Sequence, residues 1–150
     1  MERKIQKTYI DTGCGFPVIL RDVPLVKVRD VWTPDIDFGK LHNCVLRALA
    51  FKPSRLTGKE VAFIRHSFEM ILKDFSKRFA VSHPAVLKWE GQGNNPTKMS
   101  WSVEKDIRLF IIDQRFNKKD LIELYHELAE PKSAKKSPQT SLDYREVQAA

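Results

Sequence analysis

The segment from Leu72 to Glu90 reads LKDFSKRFAVSHPAVLKWE. Its large apolar residues have the spacing of two short helices that are joined by a turn and bury one face each. They are Phe75, Phe79, Val81, Val86 and Trp89. The small side chain of Ser76 lets the second helix approach the first closely. Ser82 is a good N-cap for the second helix, whose first turn tolerates Pro84, so the segment predicts a helix-turn-helix.

Helical patterns continue on both sides of this segment. Thr57 and Glu60 have the spacing of a capping box, which predicts that a helix begins there. Apolar residues recur at helical spacing between residues 103 and 111 and again between residues 121 and 128. A mainly helical domain is therefore predicted for residues 54–130.

The two ends of the chain have other patterns. Residues 8–33 are rich in Val, Ile, Tyr and Phe and are interrupted by Gly and Pro, which predicts two or three short strands. Asp35 and Asp37 can cap a following helix, so residues 1–53 form a β-rich region with one helix. Residues 131–150 are polar without a sustained apolar period, which predicts a disordered tail. The fold class is α+β, with a small N-terminal β region before the helical domain.

The amino-acid composition limits the classes of function that the chain can have. The 150 residues include 26 Lys and Arg against 19 Asp and Glu, and the resulting net charge of +7 favours a polyanionic partner. No apolar run approaches the roughly 20 residues of a membrane span, and no secretion signal is visible, so we expect a cytoplasmic protein. Cys14 and Cys44 are expected to be packing thiols. Neither Cys14 nor the pair His126-Glu127 has a catalytic partner at a motif spacing, so no enzyme or cofactor is predicted. A zinc site would need Cys14, Cys44 and His42 to converge, but the two cysteines lie on different elements and the four-ligand arrangement is absent, so no metal site is predicted.

Short motifs within the helix-turn-helix carry a family resemblance. They are Asp74-Phe75-Ser76, Phe79-Ala80-Val81-Ser82 and Val86-Leu87-Lys88-Trp89-Glu90-Gly91. This pattern resembles the Cro/C1-type (Xre) helix-turn-helix family of bacterial and phage regulators, in which a Leu-Gly-Val-Ser turn precedes a recognition helix. With Gly13-Cys14-Gly15 and the run from Leu56 to Arg65, the chain also resembles bacterial type II antitoxins that have a small β-rich N-terminal region.

The resemblance implies a transcriptional regulator that represses its own operon and acts as the antitoxin of a toxin-antitoxin pair. Its partners would be double-stranded DNA with a palindromic operator, a second copy of the chain and a cognate toxin. At the major groove the resemblance places Ser82, His83, Pro84, Ala85 and Lys88. The basic residues expected at phosphates are Lys73, Lys77, Arg78 and Arg55.

The chain departs from the family pattern at several of these positions. The family usually begins the second helix with Ser-Gln, whereas this chain has Ile71 and Leu72. The turn glycine is replaced by Ala80, which must then adopt an unfavourable backbone conformation or a slightly altered turn. Pro84 and Ala85 offer no side-chain hydrogen bond to a base, which predicts weaker or more shape-dependent specificity. These departures leave open a second hypothesis, a protein-interaction module in which the helix-turn-helix is a scaffold.

Overall fold

The computed structural model describes residues 1–135 and 139–150. The elements in chain order are β1 (Arg3–Asp11), β2 (Val18–Val28), β3 (Val31–Pro34), α1 (Phe38–Ala50), α2 (Gly58–Ser67), α3 (Leu72–Arg78), α4 (His83–Glu90), α5 (Trp101–Arg115), α6 (Lys118–Glu127), β4 (Thr140–Asp143) and α7 (Tyr144–Ala149). The predicted α+β class is confirmed, because a small strand region precedes the main run of helices. Across the described residues, no helix combines the length and the apolar character that crossing a membrane requires.

The strands form one sheet around β2. β1 pairs antiparallel with almost the whole of β2, from Arg3 opposite Val26 to Asp11 opposite Val18. The other edge of β2 is shared, because β3 pairs antiparallel with residues 25–28 and β4 pairs parallel with residues 18–21. The buried side of β2 changes near Asp22, whose φ is +56°. β1 and β2, with 9 and 11 residues, are longer than the short strands that the sequence predicts, whereas β3 has only four.

The last residues of the chain complete this sheet, which corrects the prediction of a disordered tail. β4 adds a strand to β2, and in α7 the side chains of Tyr144 and Val147 are almost fully buried. The Tyr144 hydroxyl accepts a hydrogen bond of 2.8 Å from the backbone N–H of Asp37. Only two side chains anchor the helix, which is too few to produce a sustained apolar period. Lys136, Ser137 and Pro138 of the predicted tail lie outside the described residues.

The chain divides into two compact units. The first comprises Met1–Val45 together with Pro138–Ala150, and the second is the helical unit Leu46–Ser137. This division differs from the predicted domains 1–53, 54–130 and 131–150 because the C-terminal strand belongs to the N-terminal sheet and the boundary falls within α1. The helical unit contains α2 to α6, as the capping box and the apolar periods predict.

A buried ion network in the helical unit fixes the connection between α1 and α2. The side chains of Glu104 and Arg108, one turn apart on α5, are fully buried and lie 2.8 Å apart. Arg108 also donates hydrogen bonds to the backbone carbonyls of Ala50, Lys52 and Ser54. Glu104 accepts from the backbone N–H of Leu56 at 3.2 Å and from the side chain of Arg55 at 2.9 Å.

The turn between α3 and α4 contains a strained residue. Ala80 has φ +55°, in the left-handed region that favours glycine, which is one of the two outcomes expected at this position. The left-handed conformation costs a side-chain-bearing residue about 1–2 kcal/mol. Replacement by glycine removes this cost, but the greater conformational freedom of glycine in the unfolded chain offsets part of the gain.

Ala80→Gly is therefore expected to raise the free energy of unfolding by about 0.5–1 kcal/mol. Ala62→Gly, at a right-handed position inside α2, is the matched control and should lower it by about 1 kcal/mol. Urea unfolding followed by circular dichroism measures both changes. A destabilisation by Ala80→Gly comparable to that of the control would contradict strain in the turn.

Candidate nucleic-acid interface

The helices α3 and α4 form a helix-turn-helix within the helical unit. Phe75, Phe79, Val86 and Trp89 are buried, as predicted, whereas Val81 in the turn is only half-buried. Ser76 is buried where the two helices pack, which agrees with its predicted role at a close approach. Ser82 is the N-cap of α4, and its hydroxyl accepts a hydrogen bond of 3.2 Å from the backbone N–H of Ala85.

One face of α4 is open to solvent. Its exposed residues are His83, Pro84, Leu87 and Lys88. Ala85 is half-buried, which reduces what it can contact outside the helix, and Ser82 is exposed at the helix start. Neither His83 nor Lys88 has an ion pair within residues 1–135 and 139–150, so both polar groups are available to a ligand.

Two contacts with α2 hold α4 in place. The Arg65 guanidinium makes a two-pronged ion pair with Glu90, with Nε–Oε2 at 2.8 Å and Nη2–Oε1 at 2.9 Å. The hydrogen bonds to Glu90 raise the pKa of Arg65 above its usual value. Gly58 at the start of α2 lies against the backbone at the end of α4, closer than any side chain would allow. These residues belong to the sequence motifs described above, but the motifs give no sign that the residues hold α4 against α2.

The basic residues predicted at phosphates divide into two kinds. Lys73 and Lys77 on α3 are exposed and, among the described residues, have no ion pair. Arg78 is exposed but pairs with Asp106 at 3.2 Å and lies over the ring of Phe110. Its charge is therefore partly compensated.

Arg55 does not belong to the candidate interface, which corrects the prediction. Its side chain is only 16% exposed, and its guanidinium donates to Glu104 and to the backbone carbonyl of Met99. A phosphate would have to break the buried network to reach it. The sequence shows that residue 55 is basic, but its partner Glu104 lies 49 residues later, so no local pattern predicts the ion pair.

Charge is distributed unevenly between the two units. The range 46–137 contains 18 Lys and Arg against 11 Asp and Glu, whereas the remaining residues contain eight of each sign. The whole net charge of +7 therefore belongs to the unit that contains the helix-turn-helix. A basic unit and a neutral unit in one chain fit different partners.

The helical unit also has an apolar groove between α5 and α6. Its volume is about 420 Å³, and its lining includes Leu109, Phe110, Leu121, Ile122 and Tyr125. Ile122 and Tyr125 are each more than half exposed. The apolar faces of the helices predicted at residues 103–112 and 120–129, or the N-terminal strands, are the dimer interface that the sequence leads us to expect.

The cysteines show no reactive arrangement. Cys14 is buried, and burial together with the nearby Asp11 raises the pKa of its thiol to about 11. The thiol is therefore protonated at neutral pH, which makes it a poor nucleophile. Cys44 is half-buried on α1. In residues 1–135 and 139–150, no group of three His, Cys, Asp or Glu side chains is placed to hold a metal ion.

Comparison with known proteins adds no independent assignment: no family profile matches the chain, and neither a curated protein nor a solved structure matches it. The resemblance to Cro/C1-type regulators therefore stays a prediction that rests on the motif residues. The functional proposals depend on the geometry of α3 and α4 and on the charge of the helical unit.

Proposed function

We propose that this protein is a sequence-specific DNA-binding transcriptional regulator that places the N-terminal half of α4 in the major groove. The observation that carries the proposal is the open face of α4, where His83 and Lys88 are exposed without ion pairs in the described structure. The location of the whole net positive charge in the same unit supports it, since phosphate contacts dominate DNA affinity.

Each exposed side chain has a role in this proposal. Lys88 and His83 donate to guanine edges or to phosphates. The exposed hydroxyl at Ser82 and the lysines Lys73 and Lys77 contact the phosphate backbone, where they add salt-dependent affinity. In the cytoplasm the protein would repress its own operon and act as the antitoxin of a toxin-antitoxin pair, as the family resemblance implies.

The proposal includes a homodimer on a palindromic operator. Two half-sites multiply affinity and site length, so helix-turn-helix proteins commonly bind as symmetric pairs. The apolar groove between α5 and α6 is the dimer surface that we favour, because Ile122 and Tyr125 expose apolar area that a second copy would cover.

A second candidate function, binding of a protein partner such as a toxin, is favoured by one surface of the N-terminal unit. Ile5, Val28 and Val31 are 61%, 45% and 62% exposed. The pairing register places them on the same face of the sheet, since Ile5 lies opposite Pro24 and Val28 lies opposite Val31. An apolar sheet face in a unit without net charge is typical of a protein contact.

The test is fluorescence anisotropy with a duplex from just upstream of the gene and a scrambled duplex, across salt concentrations. Binding to the upstream duplex that is at least about 10³-fold tighter at physiological salt would support specific recognition. The mass of the saturated complex should correspond to two chains per duplex. Equal, weak binding of both duplexes with the same salt slope would overturn the proposal in favour of the protein-binding alternative.

Lys88→Ala is expected to weaken binding to the upstream duplex by about tenfold, the loss of one good base contact. Lys119→Ala is the matched control, because it removes the same charge from an exposed position on α6, outside the helix-turn-helix. It should change the affinity by less than about threefold, through long-range charge alone. Equal losses for the two variants would contradict the placement of α4 at the DNA.

A further inference from the structure

The open face of α4 has an apolar centre. His83 and Leu87 are one turn apart, as are Pro84 and Lys88, so the four residues form one continuous surface. Leu87 is 53% exposed and projects from this surface, while Val86 and Trp89 carry the packing on the opposite side. Leu87 is therefore not needed to fill the core, and it has no described partner that explains its position.

We propose that Leu87 contacts the C5-methyl group of thymine in the major groove, so that the preferred DNA site is defined in part by thymine methyl groups. The inference rests on the proposed function, because it requires α4 to lie in the groove. Among the base-edge groups in the major groove, the thymine methyl is the apolar one. An exposed leucine on a groove-facing helix is complementary to that group and to no hydrogen-bonding base edge.

The charges around Leu87 favour DNA over an apolar protein surface as its partner. Lys88 is the adjacent residue, and Lys73 and Lys77 are exposed on α3, which packs against α4. An apolar protein contact at Leu87 would have to bring these ammonium groups near a surface that does not compensate them. DNA provides phosphates for the cations and a methyl group for the leucine at the same time.

The position of Leu87 also explains how the chain can be specific although it lacks the family's usual polar contact. Leu72 replaces the glutamine that begins the second helix in the family pattern, and Pro84 and Ala85 offer no hydrogen bond. Specificity that depends on methyl contacts does not require those donors. The departures from the family pattern then change what is recognised rather than removing recognition.

The experiment begins with the full-length protein and a library of random duplexes, from which bound sequences are selected. The selected duplexes are then synthesised twice, once with thymidine and once with deoxyuridine, which differs only by the missing C5-methyl group. Wild-type protein is expected to bind the thymidine form about fourfold more tightly for each methyl group contacted, the effect of burying one such carbon.

Leu87→Ala tests whether that preference belongs to this residue. The variant should bind the thymidine and deoxyuridine forms within about 1.5-fold of each other, because its truncated side chain contacts no methyl group. Ile10→Ala on β1 is the matched control, since Ile10 is 58% exposed, lies outside both proposed interfaces and loses a similar aliphatic group. It should retain the wild-type preference in full.

Three results would overturn the inference. One is equal binding of the two DNA forms by the wild-type protein. A second is a preference that persists unchanged in Leu87→Ala, which would assign it to DNA shape. If selection enriches no sequence and Lys88→Ala leaves the affinity unaltered, the proposed function itself fails. In contrast, a loss of affinity in Lys88→Ala with no methyl preference would retain the DNA-binding function and remove only the role of Leu87.

Discussion

Replacing Glu104 by Ala is expected to lower the free energy of unfolding by about 3–5 kcal/mol, because it leaves the guanidinium of Arg108 buried without its counter-charge. Both side chains are fully buried, and burial already lowers the pKa of Arg108 while Glu104 opposes that shift. The carboxylate also accepts from the backbone N–H of Leu56, which would lose its partner. The segment that joins α1 to α2 would then lose both of its contacts with this carboxylate, from Arg55 and from Leu56.

Asp106→Ala is the control for this experiment. Asp106 lies on the same helix and also pairs with an arginine, but the side chains of Arg78 and Asp106 are 41% and 46% exposed. An exposed pair contributes less than about 1 kcal/mol, so the control should be nearly as stable as wild type. Urea unfolding followed by circular dichroism compares the two variants. Similar small losses in both would show that the buried network does not stabilise the helical unit.

Gly58→Ala is expected to lower the free energy of unfolding by about 3 kcal/mol, the upper end of the usual cost of overpacking. A Cβ atom at Gly58 would lie 2.4 Å from the carbonyl oxygen of Trp89, 2.8 Å from the backbone nitrogen of Gly93 and 2.9 Å from the carbonyl oxygen of Glu90. All three are backbone atoms, so α2 or the end of α4 must move. Because α4 carries the candidate interface, the same variant should also weaken DNA binding.

Gly39→Ala separates this steric effect from the general effect of replacing a glycine. Gly39 is near the start of α1, and its nearest neighbour would be the Asp37 carboxylate at an ordinary 3.4 Å. Alanine there should raise the free energy of unfolding by up to about 1 kcal/mol, since glycine is a poor helix former. Thermal and urea unfolding of both variants provide the measurement. A stabilising effect of Gly58→Ala would contradict the close approach.

Local patterns in the sequence predict the helical unit well. The capping box of Thr57 and Glu60 and the N-cap at Ser82 depend on residues three positions apart, so their signals are local and the structure contains both. The left-handed conformation of Ala80 is one of the two outcomes that the family resemblance implies at this position. At the candidate interface His83, Lys88, Lys73 and Lys77 are exposed, as the predicted DNA contacts require, although exposure by itself does not prove those contacts.

Features that depend on distant partners could not be predicted from such patterns. In the sequence Arg55 resembles a surface cation, and only the position of α5 shows that its guanidinium is paired with Glu104. The anchor residues Tyr144 and Val147 are too few for a periodic signal, and the strand before them is only four residues long. The exposure of Leu87 has no sequence signal either, because an apolar residue within a helix suggests packing, whereas the structure leaves it more than half exposed.

The sharing of the β2 edge affects the order in which a newly made chain can fold. Residues 18–21 pair with residues 140–143, and the Arg21 side chain contacts Ser141, 120 positions later. The helical unit is a compact unit within the intervening segment, so it can fold while synthesis continues. Until translation reaches β4, half of the β2 edge stays open to pairing with other chains. A chain that ended after α6 would thus have its helix-turn-helix formed and its sheet incomplete.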